Sequence, residues 1–194
     1  FFLLIETIIQ VTLPELHVTW LCVTLLSVLY FIYCSEMWNQ LDALTGLLNQ
    51  NSYLNRTAEM RRRGGVLVVF DVDDFKQIND RYGHLQGDIC LAEIGRCIKK
   101  VYARSGYCYR TGGDEFCVLM ENADREAQCA QEFVRQLEQR RKAVDFLPTV
   151  SFGSAPFLGE DVLAVKNRAD REMYRYKKAR KPDAAHCSPN HTLL

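Results

Sequence analysis

The stretch Val66-Leu67-Val68-Val69-Phe70-Asp71-Val72-Asp73-Asp74-Phe75-Lys76 sets the architecture of this chain. Its continuous apolar run, Val66 to Phe70, reads as a strand buried on both faces. Asp71, Asp73 and Asp74 come at once after it, and a short helix is predicted over about 75–81, closed by Gly83. Clustered carboxylates repel one another and cost stability unless cations sit between them. Hard oxygen ligands of this kind suit Mg²⁺ or Mn²⁺. Lys76 falls on the first turn of the helix, where free backbone N–H groups form an anion site. Carboxylates, a helix N-terminus and a lysine are needed for metal-assisted phosphoryl or nucleotidyl transfer. The bland alternative is a solvated acidic loop beside a tight turn. No G-x-x-x-x-G-K-S/T sequence is present, which excludes an ordinary phosphate-loop hydrolase.

Outward from this stretch, strands and helices alternate. Asn51 or Ser52 can cap a helix running to about Arg63, ended by Gly64-Gly65. A longer helix opens at Gly87-Asp88, with Cys90, Ile94, Cys97, Ile98 and Val101 on one face. Tyr107–Arg110 and Phe116–Met120 read as strands around Gly112-Gly113, a hairpin signal. A two-residue turn there pairs Thr111 with Asp114, Arg110 with Glu115, and Cys108 with Cys117. Alternation then allows only one of Asp114 and Glu115 to face Asp71, and makes Arg110–Glu115 a cross-strand ion pair. Asp124 can cap a helix burying Ala127, Ala130, Val134 and Leu137. A strand over 149–154 ends at Pro156, and Val162, Val165, Ala169 and Met173 mark a last helix ending before Pro182.

The 194 residues carry 24 basic and 24 acidic side chains, a formal charge of zero that argues against a nucleic-acid partner. The charge is unevenly spread. Residues 1–55 contain no Lys or Arg, so all 24 bases and 20 of the acids lie in 56–194. No Cys/His spacing suits zinc, and the eight cysteines read as free thiols. Residues 16–35 hold no formally charged side chain, and Trp20, Tyr30, Tyr33 and Trp38 flank the apolar core. That pattern predicts a membrane-spanning helix in contact with the lipid bilayer. The absence of Met at position 1 and the apolar residues 1–11 read as a fragment cut within an earlier membrane segment. The first bases beyond the span, Arg56 and Arg61-Arg62-Arg63, place the C-terminal side in the cytoplasm.

Gly112-Gly113-Asp114-Glu115-Phe116 resembles the signature of the GGDEF family, the diguanylate cyclases. Asp42-Ala43-Leu44-Thr45-Gly46-Leu47-Leu48-Asn49 is similar to the family's opening motif. Phe70 through Asp80 resembles its metal strand, and Tyr82-Gly83-His84 to Gly87-Asp88 resembles the continuation of that motif. Ser151-Phe152-Gly153-Ser154-Ala155, Ala169-Asp170, Met173-Tyr174 and Lys177 resemble its closing strand and helix. The matching segments cover about 42–181.

The resemblance implies an α+β, palm-like domain: a mainly antiparallel sheet flanked by helices, here preceded by an N-terminal transmembrane helix. It implies that a bacterial homodimer condenses two GTP into cyclic di-GMP and two pyrophosphates, each 3′-hydroxyl attacking the partner nucleotide's α-phosphate. Asp71, the Val72 carbonyl and Asp114 would hold Mg²⁺ or Mn²⁺. Asp114, Glu115 and Lys76 would be catalytic. Phe75, Lys76, Asn79, Asp88, Lys177 and Lys181 would bind the nucleotide, Asn79 and Asp88 on its guanine and ribose side. The expected organisation is an anchor over 1–36, a short linker over 37–44, the catalytic domain over 45–182 and a flexible tail over 183–194. The chain also departs from the family. Ala103 and Gly106 replace the Arg and Asp of the product-inhibition site, so no feedback through that site is expected. Arg180-Lys181-Pro182 replaces the usual Gly-Arg-Asn, and Gln50 stands where the opening motif usually has Arg. These changes leave a catalytically weak GTP-binding or dimerisation module as the alternative.

Overall fold

The computed structural model describes residues 2–12, 18–38, 40–60 and 63–180. They divide into two compact units, Phe1–Gln40 and Leu41–Leu194. In the first unit lie helices α1 (Phe2–Thr12) and α2 (Val18–Trp38). The described apolar side chains of α2, from Leu21 to Tyr33, stand exposed on every side of the helix. Among the described residues, however, no helix is long and apolar enough to cross a membrane. The expected transmembrane span is therefore not supported, and residues 16 and 17 of it lie outside the described residues.

In the second unit an antiparallel sheet has the order β2-β3-β1-β4. The strands are β1 (Gly65–Val72), β2 (Gly106–Arg110), β3 (Glu115–Met120) and β4 (Val150–Phe157). Central β1 is paired on both edges and buried on both faces, as its unbroken apolar run requires. Val66, Val68, Phe70 and Val72 pack with α5 (His84–Tyr102) and α6 (Glu126–Ala143). Leu67 and Val69 share the opposite core with Tyr53 of α3 (Gln50–Met60) and with Val165 and Ala169 of α7 (Val162–Arg180). Short α4 (Phe75–Tyr82) leads from β1 to α5. Gly153 brings α7 against β4: a Cβ there would lie 2.1 Å from the Met173 nitrogen and 2.3 Å from the Ala169 carbonyl oxygen.

Several elements differ from the sequence reading. Pro156 does not end β4 but pairs within it, opposite Val66. An edge strand tolerates proline because the outer side of its ladder has no partner to lose. The buried face of α6 is Cys129, Phe133, Gln136 and Leu137; Leu137 is buried as expected, but Ala127, Ala130 and Val134 are not. Phe133 sets that rotation, its ring meeting Phe70 edge-on at 5.0 Å, a volume two alanines cannot fill. Helix α5 begins at His84, three residues before Gly87, because Gly83 serves both the end of α4 and the start of α5. The seven cysteines among the described residues are free thiols, as expected.

Candidate active site

The hairpin after β2 does not close by a two-residue turn. Arg110 pairs with Phe116, Tyr109 with Cys117 and Cys108 with Val118, a register one residue away from the expected one. Both Thr111 and Gly112 direct their N–H groups to the Glu115 carbonyl, at 3.1 and 3.4 Å, so the loop is longer. A one-residue slip moves every side chain to the other face. Cys108 and Cys117 therefore belong to opposite cores. Burial pushes the thiols up, Cys108 to about 12 and Cys117 to about 11. Arg110 is not the partner of Glu115. Its Nη1 lies 3.2 Å from both carboxylate oxygens of Asp42, and its Nη2 donates to the Gly113 carbonyl at 2.8 Å. Thr45 donates to Asp42 Oδ1 from its N–H and its hydroxyl, at 2.9 and 2.7 Å. Burial opposes ionisation of Asp42, but these Thr45 and Arg110 contacts outweigh it and hold the carboxyl below its ordinary range.

The same register decides the carboxylate question. Asp71, at the end of β1, stands directly opposite Glu115, at the start of β3. Facing partners in an antiparallel pair project to one side of the sheet, and here that is the α7 side, shared with Val69 and Cys117. Helix α7 supplies the counter-charges. Lys177 Nζ lies 2.5 Å from Asp71 Oδ2, and Lys166 Nζ 3.4 Å from Glu115 Oε2. Asp170 lies one turn beyond Lys166. Burial raises its pKa against the pull of Lys166, and the fields of Glu115 and Asp71 add to the rise. Asp114 takes a different place: its carbonyl accepts the Val72 N–H at 3.3 Å, which seats the turn beside the end of β1.

Among the described residues no group of three or more His, Cys, Asp or Glu is gathered tightly enough to hold a metal by itself. The donors nevertheless fit Mg²⁺ or Mn²⁺. Mg²⁺ is commonly bound by one or two carboxylates, with waters and substrate phosphates completing the shell. Asp71 and Glu115 offer that pair, and the Val72 carbonyl and Asp114 lie at the same strand end.

The other predicted residues line the far side of the β1–α4 turn. Asp74 takes a left-handed conformation (φ 56°, ψ 29°), which reverses the chain into α4 and puts Phe75 and Lys76 on its first turn. Phe75 is half-buried against the core and Lys76 is exposed. Asn79 Oδ1 is buried with no hydrogen-bond partner. A Cβ on Gly87 would come within 2.0 Å of that oxygen, so a larger residue there would push the Asn79 side chain aside. Asp88 is next in the chain, exposed. A buried acceptor with no donor is uncommon and marks a place where a ligand N–H is welcome. Lys181 lies outside the described residues. Arg180 donates to the Val150 carbonyl at 3.4 Å and lies over the Tyr176 ring at 5.5 Å.

Sequence reasoning missed Lys166 and the electrostatic part of Asp170. Their signal is present in the spacing: Lys166, Asp170, Met173 and Lys177 form one stripe of α7. Asp73 groups with the metal carboxylates in the sequence, but it is buried and turned to β4 instead.

A carboxylate pair thus stands at the end of a central antiparallel strand with Lys177 and Lys166 of α7 against it, an arrangement suited to metal-assisted phosphate chemistry. Residues 39–182 match the family described as "Diguanylate cyclase, GGDEF domain". The chain belongs to this GGDEF family. It is 37% identical over 156 residues to diguanylate cyclase DgcP of Pseudomonas aeruginosa, covering 71% of this chain and 22% of that one. It is 33% identical over 151 residues to diguanylate cyclase DgcS of Shewanella oneidensis, covering 73% and 51%. The chain thus spans about half, or less, of the length of these relatives. The GGDEF domain of DgcB from Caulobacter crescentus, solved in complex with c-di-GMP, superposes with a TM-score of 0.63 at 29% identity, covering 72% of this chain and 91% of that one. The form of DgcB that includes its coiled coil reaches 0.70 at 27% identity, covering 83% and 94%.

Proposed function

We propose that this chain is a diguanylate cyclase that condenses two GTP molecules into cyclic di-GMP and two pyrophosphates. The observation that carries the reading is the register pair Asp71–Glu115 with Lys177 and Lys166 against it, in a chain of this family. Asp71, the Val72 carbonyl, Glu115 and Asp114 would hold Mg²⁺ or Mn²⁺, which when bound would neutralise charge at the phosphates. The protein's own groups do the rest. Lys177 and Lys76 meet the phosphates as ammonium groups, and the N–H groups at the start of α4, Phe75 among them, add main-chain donors. Asn79 and Asp88 read the guanine: Asp88 as acceptor for a donor pair that adenine lacks, Asn79 through its unpartnered oxygen. In-line attack needs two nucleotides facing each other, so a homodimer presents one site to the other. The test is incubation of purified protein with GTP and Mg²⁺, with chromatographic detection of cyclic di-GMP. A folded dimer that yields none overturns the reading. GTP binding without product selects the weaker GTP-binding module, which the use of Arg180 on Val150 and Tyr176 favours.

The product-inhibition arrangement is not reproduced. A side chain on Gly106 would collide with the Leu119 carbonyl oxygen at 2.3 Å, so this backbone does not admit the family's Asp. Feedback through that site is accordingly absent from the proposal. The exposed apolar side chains of α2 support attachment of the first unit to a lipid surface, with the cyclase unit on the cytoplasmic side. Membrane fractionation of the expressed chain tests this, and recovery wholly in the aqueous fraction contradicts it.

A further inference from the structure

Asp73 has no part in the proposed reaction, yet it is among the most firmly held side chains of the unit. It is 6% exposed. Its Oδ2 accepts the Thr149 hydroxyl at 2.7 Å and its Oδ1 the Ser151 hydroxyl at 2.8 Å, while its N–H donates to the Thr149 carbonyl at 2.9 Å. Both hydroxyls come from β4 and the residue before it, so the carboxylate pins the start of the β1–α4 turn to the edge strand. The left-handed Asp74 comes directly after it. A buried charge tied only to neutral hydroxyls would be costly. The charge partner is Lys177, whose Nζ lies 3.4 Å from Asp73 Oδ1 and 2.5 Å from Asp71 Oδ2.

One ammonium group is thus shared by two carboxylates of unlike freedom. The Asp73 carboxylate is held by two hydroxyls, those of Thr149 and Ser151, and its main chain by a third bond to Thr149, whereas Asp71 is partly exposed and receives Lys177. A divalent cation held by Asp71 would have to compete with Lys177 for its carboxylate. The geometry points to Asp73 as a positioning residue that holds Lys177 at the site while letting it yield Asp71 to the metal. Without Asp73 the lysine has only Asp71 to pair with, and the competition turns against the metal. Retention of Lys177 by Asp73 also keeps the ammonium beside the metal oxygens, where anionic phosphate arrives. This inference rests on the reading of Asp71 as a metal carboxylate.

The test is calorimetric titration of the full chain with Mn²⁺ and Mg²⁺, without nucleotide, for the wild type, Asp73→Asn, Lys177→Met and the double variant. Asp73→Asn keeps the shape and its hydroxyl partners but loses the charge. The expected result is a three- to tenfold loss of metal affinity in Asp73→Asn, about the range of coupling between contacting residues. Lys177→Met should strengthen metal binding, and adding Asp73→Asn to it should change affinity by less than about twofold. A plain through-space loss of negative charge would weaken binding equally in both backgrounds, and that result overturns the inference. If Asp73→Asn fails to fold, Ser151→Ala removes one anchor without changing charge and should weaken metal binding in the same direction. An unchanged affinity there contradicts the proposal. Product assays on the same samples separate the two readings. A wild type that binds metal with the stated coupling but makes no cyclic di-GMP defeats the cyclase reading alone. An active wild type whose Asp73 effect persists without Lys177 defeats this one alone.

Discussion

The two sides of the site are built differently. On one side, Asp71 and Asp73 end a strand that is paired on both edges, and β4 and α7 lock them with Thr149, Ser151 and Lys177. On the other, the Gly112–Glu115 turn is exposed at Gly112 and Gly113, and a Cβ on Gly113 would meet nothing within 4 Å. Its ties include the two N–H bonds to the Glu115 carbonyl, the Arg110 bonds to Gly113, the Val72–Asp114 contact and the exposed Lys166–Glu115 ion pair. The most recognisable residues of the chain thus sit on its least constrained part of the site. Precision comes from the strand end, and the turn borrows it through the register that sets Glu115 against Asp71.

This contrast can be broken at the strand end first. Asp71→Asn should lower turnover by about a hundredfold or more, the scale on which a group that stabilises transition-state charge is felt. The folded domain should keep its melting temperature within a few degrees; turnover within threefold of wild type would remove Asp71 from the site. Next in size is Gly87→Ala. Its Cβ would displace Asn79 Oδ1 from 2.0 Å, raising KM for GTP about tenfold with a smaller change in kcat. A fall in kcat with KM unchanged would mean that Asn79 acts in the transition state instead.

A smaller effect is expected where the turn is tied to the opening segment. Asp42→Asn removes the charge that Arg110 grips, costing about 1 kcal/mol in this partly buried setting. The folded pKa of Asp42 is held below its ordinary 3.8. Its contribution is therefore complete above that value and is lost as pH falls through the lowered folded pKa. Melting curves between pH 3 and 7 should show the wild type losing this increment on acidification and Asp42→Asn lacking it. Parallel curves would contradict the linkage. Smallest of all is Gly113→Ala, which should change stability by less than about 0.5 kcal/mol because the added methyl meets open space. A cooperative loss of several degrees in melting temperature would show that the turn is more constrained than its open surroundings imply.

Much of this is legible in the sequence. Val66–Phe70 announces a strand buried on both faces because no polar residue interrupts it, and the acids at its end announce a cation site. The family resemblance then places the signature turn correctly in order. The part that fails is geometry that depends on hydrogen bonds made at a distance. Spacing misjudges the hairpin register by one residue because the Glu115 carbonyl takes two N–H donors and lengthens the loop. Arg110 cannot be matched to Asp42 from spacing, since 68 positions separate them. Asp73 reads with Asp71 because adjacent acids look alike in a sequence. Only the approach of β4 distinguishes one that is pinned from one that is open. The apolar stretch over 16–35 reads as a span on composition, yet among the described residues no helix is long and apolar enough to cross a membrane.

Asp71 and Glu115 face each other across β1 and β3, where the proposed cyclase places its metal. The most direct measurement is Mg²⁺-dependent production of cyclic di-GMP from GTP by the wild type, Asp71→Asn and Glu115→Gln. The account predicts product from the wild type that vanishes on chelation, and loss of about a hundredfold or more in each variant, with both still folded. Wild-type-level product from either folded variant, or metal-independent product, would contradict it.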